Sequence, residues 1–354
     1  MSIKFTVFAD YHYEKEVEHR GVSGLKTILE AAHNNGSELV LHTGDLHNNW
    51  KAVPELMKAY LNNDYVLPVY GTYGNHDTES PNTPISFVTR HLTNDQNVIW
   101  GTDDGKIGDE EITWYYCDKD KYRFIYLDTN HHYFVNEGIV KHTPAGMGEA
   151  PIENKPRHIL GAKQLKWLED VLLDAADKEL SCITISHAGF ADFEEWGWGK
   201  ISSGSSDDVK SVRTLFNKIN NIKPHTVIMC INGHYHLNNM DVADDILFFD
   251  VNSCAGFWGG NGEQHYSDDV VYKHSEYDLN GNVISTELKR FNELPNANKK
   301  WWLDRPVYAN VTITDDYEII IEGIAAKWVA DVEPPKFDWL KCDLSKISSG
   351  KFKL

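Results

Sequence analysis

Cysteine is scarce in this chain, and what there is does not pair. The five cysteines (Cys117, Cys182, Cys230, Cys254 and Cys342) are odd in number, widely spaced and form no CxxC motif. A disulfide framework and a thiolate zinc site are both disfavoured, and reduced thiols in an intracellular protein are the expectation. Long apolar runs are also missing, so nothing resembles a transmembrane span. The opening "MSIKFTVFADYHYEKE" holds one short apolar run broken by Asp10 and no small-residue cleavage site. That argues against a secretory signal and for a cytoplasmic location. Basic charge is the third shortage: 34 Lys and Arg stand against 53 Asp and Glu, a formal charge of −19. Such a surface disfavours broad electrostatic contact with long nucleic acid or an anionic membrane. No internal repeat or low-complexity tract stands out.

What is present is the material of a real core. Apolar residues make up 41% and aromatic residues 12% of the 354, ordinary for a globular protein of one large domain or two. Strand-like and helix-like signals alternate over the first 130 residues. "IKFTVFA" (3–9) and "ELVLHT" (38–43) read as buried strands, and "YVLPVYGTYG" (65–74) as extended. Between and after them, "LKTILEAAHNNG" (25–36), "VPELMKAYLNN" (53–63) and "PISFVTRHL" (84–92) read as helices. This alternation predicts βαβ units and a sheet covered on both faces. Antiparallel strands follow at 111–117 and 122–129, then an irregular stretch, 130–157, expected as a long loop. An amphipathic helix over 161–178 carries Leu165, Leu168 and Leu172 on one face. Strand signals return at 180–186, 226–232 and 245–251, with a helix after Asp207. From about Ser267 the texture becomes β-rich, with hairpin signatures at Asn280-Gly281 and Asp315-Asp316.

Polar clusters recur at one address, the carboxyl ends of these strands: "ADYHY" (Asp10, His12), "HTGDLHNN" (Asp45), "YGNHDT" (Asn75, His76, Asp77), "ISHAG" (His187) and "NGHYH" (His234, His236). Ligands of open α/β sheets bind outside the carboxyl ends of the strands. Each cluster alone is weak, because GD and GN are common turn dipeptides and a lone histidine is more often structural. Together they offer imidazole, carboxylate and one amide oxygen without thiolate, a donor set suited to Mn, Fe, Zn or Co. Seven donors exceed one ion. They suit two ions sharing a carboxylate, roughly 3.5–4 Å apart.

The ordered string D-x-H, GD, GNHD, H, GHxH resembles the calcineurin-like metallophosphoesterase superfamily. Here it reads Asp10-Tyr11-His12, Gly44-Asp45, Gly74-Asn75-His76-Asp77, His187 and Gly233-His234-Tyr235-His236. The resemblance implies an α/β fold of two mixed β-sheets sandwiched together and flanked by helices, four layers in all. It implies a catalytic domain over 1–265, leaving 266–354 as a β-rich extension or small domain. One ion (Mn, Fe or Zn) would take Asp10, His12 and His236; the other would take Asn75, His187 and His234, with Asp45 bridging. A metal-bridging hydroxide would attack phosphorus while His76, helped by Asp77, assists the leaving oxygen. The protein phosphatases of this superfamily carry GDxxDRG, whereas Asn48 and Asn49 fill the Asp and Arg positions here. Purple acid phosphatases place a metal-binding Tyr where Asn48 stands. What remains is a phosphodiesterase of small molecules or nucleotides, with a small-molecule phosphatase, a nuclease of short fragments and a non-enzymatic scaffold as competitors. Trp196, Trp198, Phe257 and Trp258 are candidates to stack on a substrate ring or to pack insertions onto the core. His42 reads as a strand residue and His47 as a neighbour of the ligand loop.

Overall fold

Strand β1 (Ile3–Phe8) is apolar but for Lys4 and Thr6, the pattern of a strand covered on both faces. The computed structural model describes residues 2–354 apart from 14–16, 18–19, 48–53, 73, 79–91, 103–111, 130–132, 137–138, 143–159, 192–208, 255, 259–264, 279–282, 295–296 and 336–341. The helix expected at 84–92 lies outside the described residues but for its last residue, as do Trp196, Trp198 and the Asn280-Gly281 turn. β1 pairs in parallel with β2 (Leu39–His42), and β2 in parallel with β3 (Val69–Gly71). Parallel neighbours need crossovers, supplied by α1 (Val22–Asn35) and α2 (Pro54–Leu61). The "NNG" stop works as read: Gly36 takes φ 74° and donates its N–H to the carbonyls of Ala32 and His33.

The next strands are β4 (Ile99–Trp100), β5 (Tyr115–Lys119) and β6 (Tyr122–Tyr126), then β7 (Tyr133–Asn136) and β8 (Ile139–His142). The last two form an antiparallel hairpin, so the stretch expected as a loop contains a β-hairpin whose pairing its composition hid. Then come α3 (Gly161–Asp177), β9 (Ser181–Ile185), α4 (Val209–Ile222), β10 (Val227–Asn232), β11 (Asn239–Ala243) and β12 (Ile246–Asp250). The second sheet runs β11-β12-β10-β9-β6-β5-β4, with a parallel centre (β12, β10, β9, β6) and antiparallel edges. The remaining strands are β13 (Gly256–Trp258), β14 (Val271–Tyr277), β15 (Val283–Arg290), β16 (Lys300–Trp302), β17 (Ala309–Ile313), β18 (Glu318–Gly323) and β19 (Gly350–Lys353). β17 pairs antiparallel with the free edge of β1, Ile3 opposite Ile313, and β18 and β19 continue outward from it.

Alternation along the second sheet shows how the layers stack. Phe124, Ile183, Ile185, Met229, Ile231, Leu247 and Phe249 face the first sheet and share a core with Phe5, Val7 and Leu41. Their chain neighbours Ile125, Cys182, Cys230 and Phe248 face the other way, onto Leu168 and Leu172 of α3 and Phe216 of α4. The result is helix, sheet, sheet, helix: two mixed sheets face to face, as expected. All five cysteines are free, and burial pushes the Cys182 and Cys230 thiols up to about 12. Among the described residues, no helix is long and apolar enough to cross a membrane.

Candidate metal centre

Because β1, β2 and β3 are parallel, and β9 and β10 likewise, their carboxyl ends open on one rim of the sandwich. The two sheets are joined there. Ala9 bridges Ser253, Cys254 donates its N–H to the Ala9 carbonyl at 3.0 Å, and Ser253 Oγ donates to the Asp10 carbonyl at 2.9 Å. Asp10 and His12 donate their N–H groups to the carbonyls of Gly44 and Asp45, which zips the first two strand-end loops together.

All seven predicted ligands converge on this rim, in two groups. In the first, His236 Nε2 lies 3.3 Å from Asp10 Oδ1 and 3.0 Å from His12 Nε2. In the second, His187 Nε2 lies 3.1 Å from Asn75 Oδ1 and 3.1 Å from His234 Nδ1. Asp45 stands between them: its Oδ2 is 4.0 Å from His12 Nε2 and 3.3 Å from His187 Nε2, while Oδ1 accepts the His76 N–H at 2.8 Å. Two pairs of ring nitrogens thus approach to hydrogen-bond distance. Lone pairs cannot face each other so closely without a shared proton or cation, and with carboxylates beside both pairs the donors fit two divalent ions.

The backbone supports the same reading. Asp10 (φ 47°), His12 (44°), Asp45 (50°), His234 (76°) and His236 (54°) all occupy the left-handed region. For residues with a Cβ each such position costs about 1–3 kcal/mol, strain that concentrates at functional sites. The motif glycines allow close approach: a Cβ on Gly74 would lie 2.0 Å from Asp45 Oδ1, and one on Gly233 would lie 2.5 Å from Asp10 Oδ2. His187 Nδ1 meets the Thr43 carbonyl at 2.9 Å, a bond that orients the ring and turns Nε2 towards the site.

Charge follows from burial and neighbours. Burial, then the nearby His236, holds His12 well below the usual imidazole range, so it is neutral and ready to ligate. Burial also opposes charge on His187, yet the Asp45 carboxylate outweighs it and lifts that imidazole to about 9. In the metal-free protein below that pH, an ion reaching Nε2 must displace a proton. Metal affinity therefore rises with pH, by up to about tenfold per unit between pH 7 and 9 for one released proton. Calorimetric manganese titrations at about pH 7 and about pH 8 check this; equal affinities would contradict the His187–Asp45 pairing.

His76 and Asp77 part company. The His76 ring stands 5.0 Å from the His12 ring, at the first group. The Asp77 carboxylate accepts N–H groups from Asp45 (2.9 Å), Gly74 (2.7 Å) and His47 (3.1 Å), tying the second strand-end loop to the third. Burial, then the nearby Asp45 charge, raises it to about 7. Asp77→Asn turns an amide N–H towards those donors and is expected to cost about 1–3 kcal/mol in urea denaturation. An unchanged midpoint would show that the clamp carries no stability. His42 closes β2 as a buried ring beside Phe8 and Tyr60, held near 3 by burial and then His47; its Nδ1 accepts the Gly44 N–H. His47 Nε2 lies 3.7 Å from Asp77 Oδ1. Phe257 packs in a small core with Leu237, Trp301 and Leu344. Sequence reading missed Thr43 and Ser253, which act on the site through a backbone acceptor and a hydroxyl and leave no motif. It also missed Arg20, whose signal was a lone arginine closing the acid-rich run "YEKEVEHR".

Residues 3–238 match the calcineurin-like phosphoesterase family, and the chain belongs to it. Its members work with two divalent metal ions, which accords with the two donor groups found here. A dimetal phosphatase from Danio rerio aligns with 92% of this chain and 98% of its own, at 13% identity and a TM-score of 0.52. PhoD aligns with 99% of this chain and 68% of its own, at 12% identity and a TM-score of 0.48. At 13% identity the likeness to the dimetal phosphatase concerns the fold. No curated protein matches the chain.

Proposed function

We propose that this chain is a dinuclear-metal hydrolase that cleaves a phosphodiester of a small molecule or nucleotide. The observation that carries the reading is Asp45 Oδ2, set between His12 and His187 at the meeting of two complete donor groups. Asp10, His12 and His236 would hold one ion and Asn75, His187 and His234 the other, with Asp45 shared. Bound there, two divalent ions supply Lewis-acid stabilisation of the phosphoryl oxygens and lower the pKa of an attacking water. The chain's own part is to fix both ions by strained, hydrogen-bonded loops and to deliver a proton. His76, beside His12, gives that proton to the departing alkoxide. Asp77 acts as a positioning residue through its three backbone bonds. Asn48 and Asn49, in place of the Asp and Arg of protein phosphatases, support a small-molecule substrate over a phosphoprotein.

Hydrolysis of bis-p-nitrophenyl phosphate beside p-nitrophenyl phosphate, by manganese-loaded protein, tests the reading. A faster diester is the expected result. A faster monoester would make the chain a small-molecule phosphatase, and no turnover of either with metal bound would favour a scaffold.

A further inference from the structure

Large apolar side chains left in water gather on one element of this fold. Among the described residues eight are exposed, and four of them, Val271, Val283, Ile284 and Leu288, belong to the β14–β15 hairpin. The two strands form a sheet of their own, in which β15 pairs with β14 alone among the described residues. Tyr272 and His274 anchor β14 as buried side chains, Tyr272 in a core with Tyr266, Phe291 and Trp302. β15 lies outside it, with seven of its eight residues exposed. A two-stranded ribbon is marginal in water by itself, and a long exposed edge strand is a template for a further strand.

Register fixes what each face shows. Tyr272 stands opposite Lys289 and His274 opposite Glu287, so Glu287 and Lys289 share the face turned towards the body of the protein. Val271 stands opposite Arg290 and Lys273 opposite Leu288, which puts Leu288 and Arg290 on the outward face. The pairing shifts between Glu276 and Tyr277 and leaves Ile284 as an extra residue, so the regular edge is 285–290.

A second copy added to this edge about a twofold axis normal to the sheet keeps inward residues opposite inward ones. The axis must then fall on a residue. On Glu287, Lys289 or Arg290 it sets like charges face to face. On Ser285 or Thr286 it draws the irregular Ile284 into the ladder and sets neither Glu287 nor Lys289 opposite a counterion. On Leu288 it sets Leu288 against its own copy, Thr286 against Arg290, and Glu287 against Lys289 twice. Glu287 also meets Lys289 of its own strand at 2.9 Å, so the four charges alternate in sign around the axis.

We propose that β15 is an association edge for a second copy of this chain, two β15 strands pairing antiparallel about Leu288 to join two ribbons into one four-stranded sheet. The strand is complementary to itself there in charge and in polarity, and the interface is independent of the hydrolase reading. The paired run is short, so the dimer belongs in the micromolar range.

Sedimentation velocity of the full chain, from about 1 to about 100 µM in about 0.15 M salt, tests the edge. Wild type is expected to pass from monomer to dimer across that range. Glu287→Lys sets lysine against lysine and Lys289→Glu carboxylate against carboxylate, so each variant alone should dimerise about tenfold or more weakly. An equimolar mixture of the two should recover dimerisation, because each strand then meets its opposite charge. The pair within each strand stays broken in that mixture, so recovery reports contact between chains alone. Leu288→Glu sets carboxylate against carboxylate on the axis and should weaken the dimer as well. A wild type that stays monomeric to about 100 µM would overturn the proposal. So would variants that dimerise like wild type, or a mixture that does not recover.

Discussion

Asp45→Ala is expected to leave a protein that holds at most one ion and has lost most of its turnover. Its carboxylate lies between His12 of one donor set and His187 of the other, and its Oδ1 also fixes the loop of Asn75 by accepting the His76 N–H. Removing it separates the two groups electrostatically and takes away the charge that offsets the imidazoles. Metal analysis after dialysis should find at most one ion per chain, against two in wild type. Lewis-acid assistance is worth several kcal/mol of transition-state stabilisation, so the rate on a phosphodiester should fall by ~10³-fold or more. A variant that kept both ions would show that Asp45 is not shared.

His76→Ala has the second largest effect, and its pattern is the opposite. The ring is beside His12 but supplies none of the donor atoms of either group, and the backbone N–H that meets Asp45 survives the substitution. Both ions should stay, while the rate on an alkyl diester falls by ~10²–10⁴-fold, the range of general acid catalysis. With p-nitrophenolate, which leaves without a proton, the loss should be far smaller. An equal loss on both substrates would assign His76 to shaping the site rather than to proton delivery.

Much of this site was legible in the sequence because its chemistry is written in short local strings. GD, GNHD and GHxH each place a donor directly after a glycine, and at Gly74 and Gly233 that glycine is needed for a close backbone approach to Asp45 and Asp10. Strands and helices of the first half were legible for the same local reason: buried runs such as Ile3–Phe8 and a glycine stop at Gly36. What escaped was non-local. The pairing of β17 with β1 joins Ile3 to Ile313 and is decided by which sheet edge is left open. The β7–β8 hairpin lies in a stretch with no period to announce it. Arg20 and Lys300 meet at Trp302 only because the chain returns to the rim after some 280 residues, and no spacing rule links them.

The central claim is that the strand-end loops build one centre for two ions. Anomalous scattering from crystals soaked in manganese tests it most directly. The account predicts two peaks roughly 3.5–4 Å apart, one among Asp10, His12 and His236, the other among Asn75, His187 and His234, with Asp45 between them. A single peak, or peaks away from Asp45, would contradict it.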